Sequence, residues 1–371
     1  MKVAVVLGTR PEVIKLAPVI QELRRYPKHF RVVLLATAQH RRMMDQMLAL
    51  FHLKPDLDLN IMRPAQSLES LTSSLMKKVS RAISSLKPDL ILIQGDTTTV
   101  MITALAAFYQ KIPVAHLEAG LRTGDPFNPF PEEINRRIVS LLASHHFVPT
   151  PQAASNLKRE GVASSRIHVT GNTVVDALLS LRPKIKKCPL PVLLSPEKRL
   201  ILVTAHRRES FGRPLINICR AIKELVRKNP GVEVVYPVHP NPNVRRAVFG
   251  VLKGVPRVHL LNPLDYLPFL ALLRSAFFVL SDSGGLQEEA PSFKKPVLVL
   301  REVTERPEGV QAGIARIVGT DKRRIIKAAQ QLLSDRKAYA RMTARKNPYG
   351  DGRAAKRIRR FLIRSLAKQK M

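Results

Sequence analysis

Three carboxylates and an imidazole stand where a folded chain could use them to move protons. Asp96 follows the apolar run DLILIQG, Glu118 follows IPVAHL, Glu132 opens a helical pattern after the next loop, and His206 follows LILVTA. In an open α/β sheet, ligands bind in the loops beyond the carboxyl ends of the strands, so these positions suit general acid and base work. Three of them have a plainer reading too. Asp96 fits a helix N-cap, Glu132 a first-turn acid favoured by the helix dipole, and His206 a structural histidine. Three acids gathered around the loop from His116 to Arg137 favour chemistry over capping. Such a trio would repel itself, so at least one carboxylate is expected to titrate high.

Other stretches are built to hold an anion. Gly8-Thr9-Arg10-Pro11 joins the run Lys2 to Leu7 to a helical pattern, the geometry that aims backbone N–H groups and a positive dipole end at a phosphate. Arg10 and Lys15 add full charge there. Ser283-Gly284-Gly285, after the run Phe277 to Ser281, reads as a phosphate cradle, with Glu289 further along the same helix placed to reach ribose hydroxyls. His206 and His239, each at a strand end, could bond phosphate or sugar oxygens. The glycine pattern is not the dinucleotide fingerprint, and no His, Cys or carboxylate group has zinc-ligand spacing. No metal or other cofactor is expected.

The elements that must position these groups alternate as short apolar runs and amphipathic helices, which predicts parallel, doubly wound α/β sheets. The segment 182–199 breaks the rhythm with Pro183, Pro189, Pro191 and Pro196 and reads as a linker. It divides the chain into an N-terminal domain, 1–181, carrying the carboxylates, and a C-terminal domain, 200–350, carrying the cradle. Two similar α/β domains facing across a cleft are expected. Residues 351–371 form a basic tail whose helix, roughly Arg353 to Ala367, has an apolar stripe suited to packing back on the body.

The charge is unusual. The chain of 371 residues has 62 Lys and Arg against 28 Asp and Glu, a formal +34. Such a surface attracts polyanions, acidic lipid headgroups and phosphorylated substrates alike. No nucleic-acid-binding signature accompanies it, so a nucleic-acid function is not expected. Two cysteines without framework spacing, no signal-peptide pattern and no membrane-span-length apolar run point to a cytoplasmic protein.

Several blocks together carry a resemblance: GTRPEVIKLAPVI, QGDTTTV, HLEAGLRTGDPFNPFPEEINRR, GNTVVDAL, VTAHRRESFG, YPVHPNPNVR, DSGGLQEEAPSFKKPVLVLREVTERPEGV and NPYGDG. In this order, from Gly8 to about Gly352, they resemble the non-hydrolysing UDP-N-acetylglucosamine 2-epimerases. The resemblance implies two Rossmann-like domains in the B-type glycosyltransferase arrangement, a UDP-N-acetylhexosamine substrate and a homodimer. It also implies elimination of UDP from C1 as the C2 proton leaves, then re-addition with protonation from the other face. By position, Asp96, Glu118, Glu132 and His206 match the family's catalytic group. Arg10, Arg136, His239, Ser283, Gly284 and Glu289 match its nucleotide and diphosphate contacts. Members activated by a second substrate molecule carry Gln-His-Arg-Gln and Arg-Gln at that site; here the stretches read Gln39-His40-Arg41-Arg42 and Ala65-Gln66. Gln39, His40 and Gln66 are thus remnants, and weak or absent cooperativity is expected. A hydrolysing epimerase and a B-type UDP-sugar glycosyltransferase are the alternative readings.

Overall fold

The computed structural model describes residues 1–37, 41–61, 63 and 66–369. The chain divides into two compact units, Met1–Ser180 with Tyr349–Met371, and Leu181–Pro348. In the first, the elements in order are β1 (Lys2–Leu7), α1 (Arg10–Arg24), β2 (Arg31–Ala36), α2 (Arg41–Leu50), β3 (Leu57–Asp58), α3 (Leu68–Leu86), β4 (Leu90–Gln94), α4 (Thr98–Tyr109), β5 (Val114–Leu117), α5 (Glu132–Leu142), β6 (His145–Val148), α6 (Pro151–Arg159), β7 (Ile167–Val169) and α7 (Thr173–Lys187). The second holds β8 (Arg199–Thr204), α8 (Arg213–Lys228), β9 (Val232–Pro237), α9 (Pro242–Leu252), β10 (Val258–Leu261), α10 (Tyr266–Ser275), β11 (Phe278–Ser281), α11 (Gly284–Glu289), β12 (Val297–Val299), α12 (Pro307–Gln311), β13 (Ala315–Ile317), α13 (Lys322–Ser334) and α14 (Arg336–Thr343). The last helix, α15 (Ala354–Gln369), belongs to the first unit.

Each unit is wound on one parallel sheet, with strand orders β3-β2-β1-β4-β5-β6-β7 and β10-β9-β8-β11-β12-β13. Both faces of such a sheet are covered by helices, so its central strands must be apolar throughout. β1 shows this: Val3, Ala4, Val5, Val6 and Leu7 are all buried. Each fully buried Val or Leu side chain contributes ~1.5–3 kcal/mol. Against the second sheet, α8 buries Leu215, Ile218, Ile222 and Leu225 at helical spacing, and α13 buries Ile325, Ala329 and Leu332 in the same core. In each sheet the winding direction reverses beside the first strand, at β1/β4 and at β8/β11. There the crossovers part and leave room for ligands.

The structure departs from the sequence reading at two points. The edge strands β3 and β13 are two and three residues long, too short to make an apolar run. α7 continues to Lys187 with Pro183 inside it, so the segment 182–199 starts as helix and not as linker. The basic C-terminal helix packs on the first unit, as its apolar stripe predicts. The Ala354 and Ala355 amides donate to Asp176 at 3.2 and 3.0 Å, Arg359 donates to Glu22 at 2.9 Å, and Ile358 and Leu362 are buried. No helix among the described residues is long and apolar enough to cross a membrane.

Candidate functional site

The turn after β1 is held by a carboxylate the sequence reading passed over. Glu12, in the first turn of α1, accepts the backbone N–H of Gly8 at 2.5 Å and of Thr9 at 3.0 Å through Oε2, and the Thr97 hydroxyl at 2.7 Å through Oε1. It thereby ties the turn bearing Arg10 to the turn bearing Asp96. Burial pushes its pKa up to about 7, against the pull of the bonds from Thr97, Gly8 and Thr9.

Lys15, one turn further along α1, reaches across the strand ends and its ammonium donates to Glu118 Oε1. Glu118 stands directly after β5 with a left-handed backbone, φ 60°, a conformation that costs a non-glycine residue of order 1–3 kcal/mol. Its other oxygen accepts from Gln94 Nε2 at the end of β4, and Asn172 Nδ2 lies at 3.5 Å from Oε1. Donors from three separate parts of the chain therefore converge on one carboxylate. Two residues on, the turn needs glycine. A Cβ at Gly120, where φ is 87°, would stand 2.3 Å from the Ala153 carbonyl oxygen.

Asp96 follows β4, the strand beside β5. Its Oδ2 accepts from both Nε (2.8 Å) and a terminal nitrogen (2.7 Å) of Arg136, and its carbonyl accepts from Asn135 at 2.8 Å. Arg136 also donates to Glu133 at 3.0 Å. Glu133 is fully buried and accepts the backbone N–H groups of Thr123 and Gly124 at 3.1 and 3.3 Å. Glu133 thus organises the loop that Glu118 opens. Glu132, half-buried, is the first residue of α5, four before Arg136, which puts both on one helix face. The expected repulsion among the trio is offset, because Asp96 rests on Arg136 and Glu118 on Lys15. Beside them, burial drives the Glu12 carboxyl up. Behind them His116 is buried, bonds the Gly95 carbonyl at 2.7 Å, and has its pKa pulled down to about 4 by desolvation, so it is a neutral prop for the β4–α4 turn.

The second unit repeats this placement with different chemistry. Asp282, buried at the end of β11, accepts the backbone N–H of His206 at 2.6 Å and of Arg207 at 2.8 Å, and stands 3.5 Å from His206 Nδ1. The His239 ring stacks on His206 with centroids 5.2 Å apart and planes at 9°. Burial, then the His206 charge, lowers the His239 pKa. Ser283 caps α11, and its N–H donates to Ser281 Oγ at 2.9 Å. Gly284 allows the Arg306 guanidinium to lie over the turn, where a Cβ would come 3.4 Å from Arg306 Cζ, while open space surrounds the Cβ position of Gly285. Arg306 in turn donates to Glu288 and Glu305, both at 2.8 Å. Glu289 accepts from the Tyr266 hydroxyl at 2.8 Å.

The family model for UDP-N-acetylglucosamine 2-epimerase matches residues 21–363. The chain belongs to the UDP-N-acetylglucosamine 2-epimerase family. It is 50% identical over 366 residues to the UDP-N-acetylglucosamine 2-epimerase of Escherichia coli K12, covering 96% of this chain and 97% of the relative. The corresponding protein of Bacillus subtilis 168 is 49% identical over 360 residues, covering 96% and 94%. Among solved structures, the UDP-GlcNAc 2-epimerase of Neisseria meningitidis bound to UDP-GlcNAc is 46% identical and superposes with a TM-score of 0.92, covering 98% of this chain and 100% of that one.

In this epimerase-family chain, Asp96 and Arg136 are brought into contact, as are Lys15 and Glu118, and His206 and His239. Gln39 and His40 lie outside the described residues. Gln66 accepts from the Arg63 N–H at 3.3 Å, and its amide nitrogen is buried with no acceptor among the described residues. Gln94, Asn172, Glu12, Glu133, Asp282 and Arg306 went unnoticed as parts of the site. Gln94 carried a signal, a polar residue closing an apolar strand. Arg306 carried none, since its position over Gly284 depends on how a distant loop packs.

Proposed function

We propose that this protein interconverts UDP-N-acetylglucosamine and UDP-N-acetylmannosamine without net hydrolysis, as a cytoplasmic homodimer serving surface-polysaccharide synthesis. The C2 hydrogen of the sugar is not acidic enough for simple abstraction. The workable route is elimination: a base takes the C2 proton, the C1–C2 double bond forms, and the C1–oxygen bond breaks with its electrons leaving on UDP. Reversal with proton delivery to the opposite face of C2 inverts that centre. The route needs two proton-handling groups and a negative group near the positive charge that develops at C1.

The single observation that carries this reading is the pair of carboxylates at neighbouring strand ends, each with its own cation. Glu118, surrounded by donors from Lys15, Gln94 and Asn172, suits charge stabilisation at C1. Asp96 spends Oδ2 on Arg136 and keeps Oδ1 without a partner among the described residues, which suits proton transfer at one face of C2. Glu132 serves the other face. Arg10 assists the departing diphosphate. In the second unit, Gly284 and Gly285 take the diphosphate through backbone N–H groups with the Ser283 hydroxyl beside them, His206 and His239 bond its oxygens, and Glu289 holds the ribose. The solved relative bound to UDP-GlcNAc supports the choice of substrate.

Proton NMR of UDP-N-acetylglucosamine incubated with the protein in deuterated water tests the reading. UDP-N-acetylmannosamine with deuterium at C2 in both epimers is the expected result. Free N-acetylmannosamine with UDP would instead make the protein a hydrolysing epimerase, and an unchanged spectrum with UDP still bound would point to sugar transfer.

A further inference from the structure

The second unit carries a cationic face that the epimerase reading leaves unused. α8 and α13 lie side by side on the same layer of the sheet, both burying their apolar stripes in one core. Lys322 of α13 pairs with Glu224 of α8 at 2.6 Å, and Asn229, directly after α8, donates through Nδ2 to Gln330 Oε1 at 3.1 Å. Their outward stripes are what the fold leaves over, and these are basic. Arg220, Lys223, Arg227 and Lys228 are exposed on α8, as are Arg323 and Lys327 on α13. A groove of about 560 Å³ runs between the helices, and Lys228, Arg323 and Lys327 line it. Its carboxylate, Glu224, is already claimed by Lys228 at 2.7 Å as well as by Lys322. The groove therefore keeps a net positive charge after its internal pairing.

We propose that this face of α8 and α13 docks on an anionic phospholipid bilayer, with the groove taking a headgroup phosphate. Shape and composition select this partner. Two helices lying flat against one sheet make a broad surface that matches a plane, whereas reading a DNA duplex calls for an element that projects into its groove. Neither helix contains an aromatic residue, so no platform exists for stacking the bases of a single strand. No large exposed hydrophobic side chain lies on either helix, so contact stays electrostatic at the headgroup level without insertion. Charge alone would attract the whole +34 chain to acidic lipid. The proposal is narrower: binding is concentrated on this face.

The test is flotation of the full chain with phosphatidylcholine vesicles, with and without phosphatidylglycerol, at low and high KCl. The triple variant R220E/R323E/K327E is compared with K356E/R360E/R364E, which makes the same charge change on the exposed side of α15. Epimerase turnover of both serves as the folding check, and if the first fails it, R220Q/R323Q/K327Q is compared with K356Q/R360Q/R364Q. Expected are salt-sensitive binding to the anionic vesicles only, a loss on the order of 100-fold for the α8/α13 variant, and near-normal binding for the α15 variant. Equal losses in both variants would reduce the effect to net charge and overturn the proposal, as would no vesicle binding at all. Tighter binding to duplex DNA, abolished by the same α8/α13 variant, would assign the face to nucleic acid instead.

Discussion

Lys15 and Glu118 are 103 positions apart in sequence, yet the ammonium of one donates directly to the carboxylate of the other, with both side chains largely shielded from water. The contact joins the first crossover of the fold to the strand end that bears the proposed charge-stabilising group. Removing one partner of such a shielded pair leaves the other charge uncompensated, at a cost of roughly 3–5 kcal/mol unless Glu118 takes up a proton.

Lys15→Met is therefore expected to lower kcat by about two to three orders of magnitude, the scale seen when a preorganised electrostatic contact is lost. Gln94→Ala and Asn172→Ala leave the ion pair intact but loosen Glu118. For each, a fall in kcat of about tenfold or more with KM little changed is expected, because misplacement of a catalytic group affects the transition state more than binding. Steady-state kinetics of the three variants check this. A change confined to KM would remove Glu118 from the chemical step.

Glu12 makes stability depend on pH in the direction opposite to an ordinary paired carboxylate. Its pKa in the folded protein is about 7 against a reference of 4.5, so between these values the folded state holds a proton that the unfolded state has released. Stability then falls as pH rises from 4.5 to 7, by up to roughly 3 kcal/mol from this group. In Glu12→Gln the amide oxygen can accept from Gly8 and Thr9 while the amide nitrogen donates to the Thr97 hydroxyl. Chemical denaturation at several pH values should show this variant gaining on the wild type as pH rises through that window. Parallel curves would refute the assignment.

Histidines give the opposing slope. Burial pulls His116 and His168 down to about 4 and His146 to about 3, all from 6.5. The folded state keeps them neutral while the unfolded state protonates them, so stability is lost as pH falls from 6.5 towards 4. The His168 ring packs against Phe361 of α15, with centroids 3.9 Å apart and planes tilted by 37°, which couples this titration to the docking of the last helix. His168→Phe retains an aromatic ring at that position and removes the charge. Its melting temperature should drop less than that of the wild type between pH 6.5 and 4.5.

Activation by a second substrate molecule should be weak or absent, since Arg42 and Ala65 replace a glutamine and an arginine of the activated pattern. A hyperbolic dependence of initial rate on UDP-N-acetylglucosamine is expected. A clearly sigmoidal curve would show that the remaining glutamines suffice.

The elements with strong periodicity could be read directly. α3 runs from Leu68 to Leu86 as its apolar spacing predicts, and β4 is a run of buried residues closed by Gln94, because a strand covered on both faces has no polar side to display. The strand-end positions of Asp96, Glu118 and His206 follow from the same logic. Edge strands such as β3 and β13 escaped because two or three residues make no pattern.

Sequence by itself determined the parallel α/β class, the family, and which residue types stand at the strand ends, since all three are written in local runs and motifs. Only the tertiary structure decided the partners. Lys15 meets Glu118, Arg136 meets Asp96, and the His206 amide meets Asp282 because strand order brings β1, β4 and β5 together in one sheet and β8 and β11 in the other. That order is a long-range property. Hydrophobic spacing determines which side of a strand or helix is buried, but the winding of the sheet determines whose side chain waits at the neighbouring strand's end, and so which carboxylates are neutralised and which, like Glu12, are left to hold a proton.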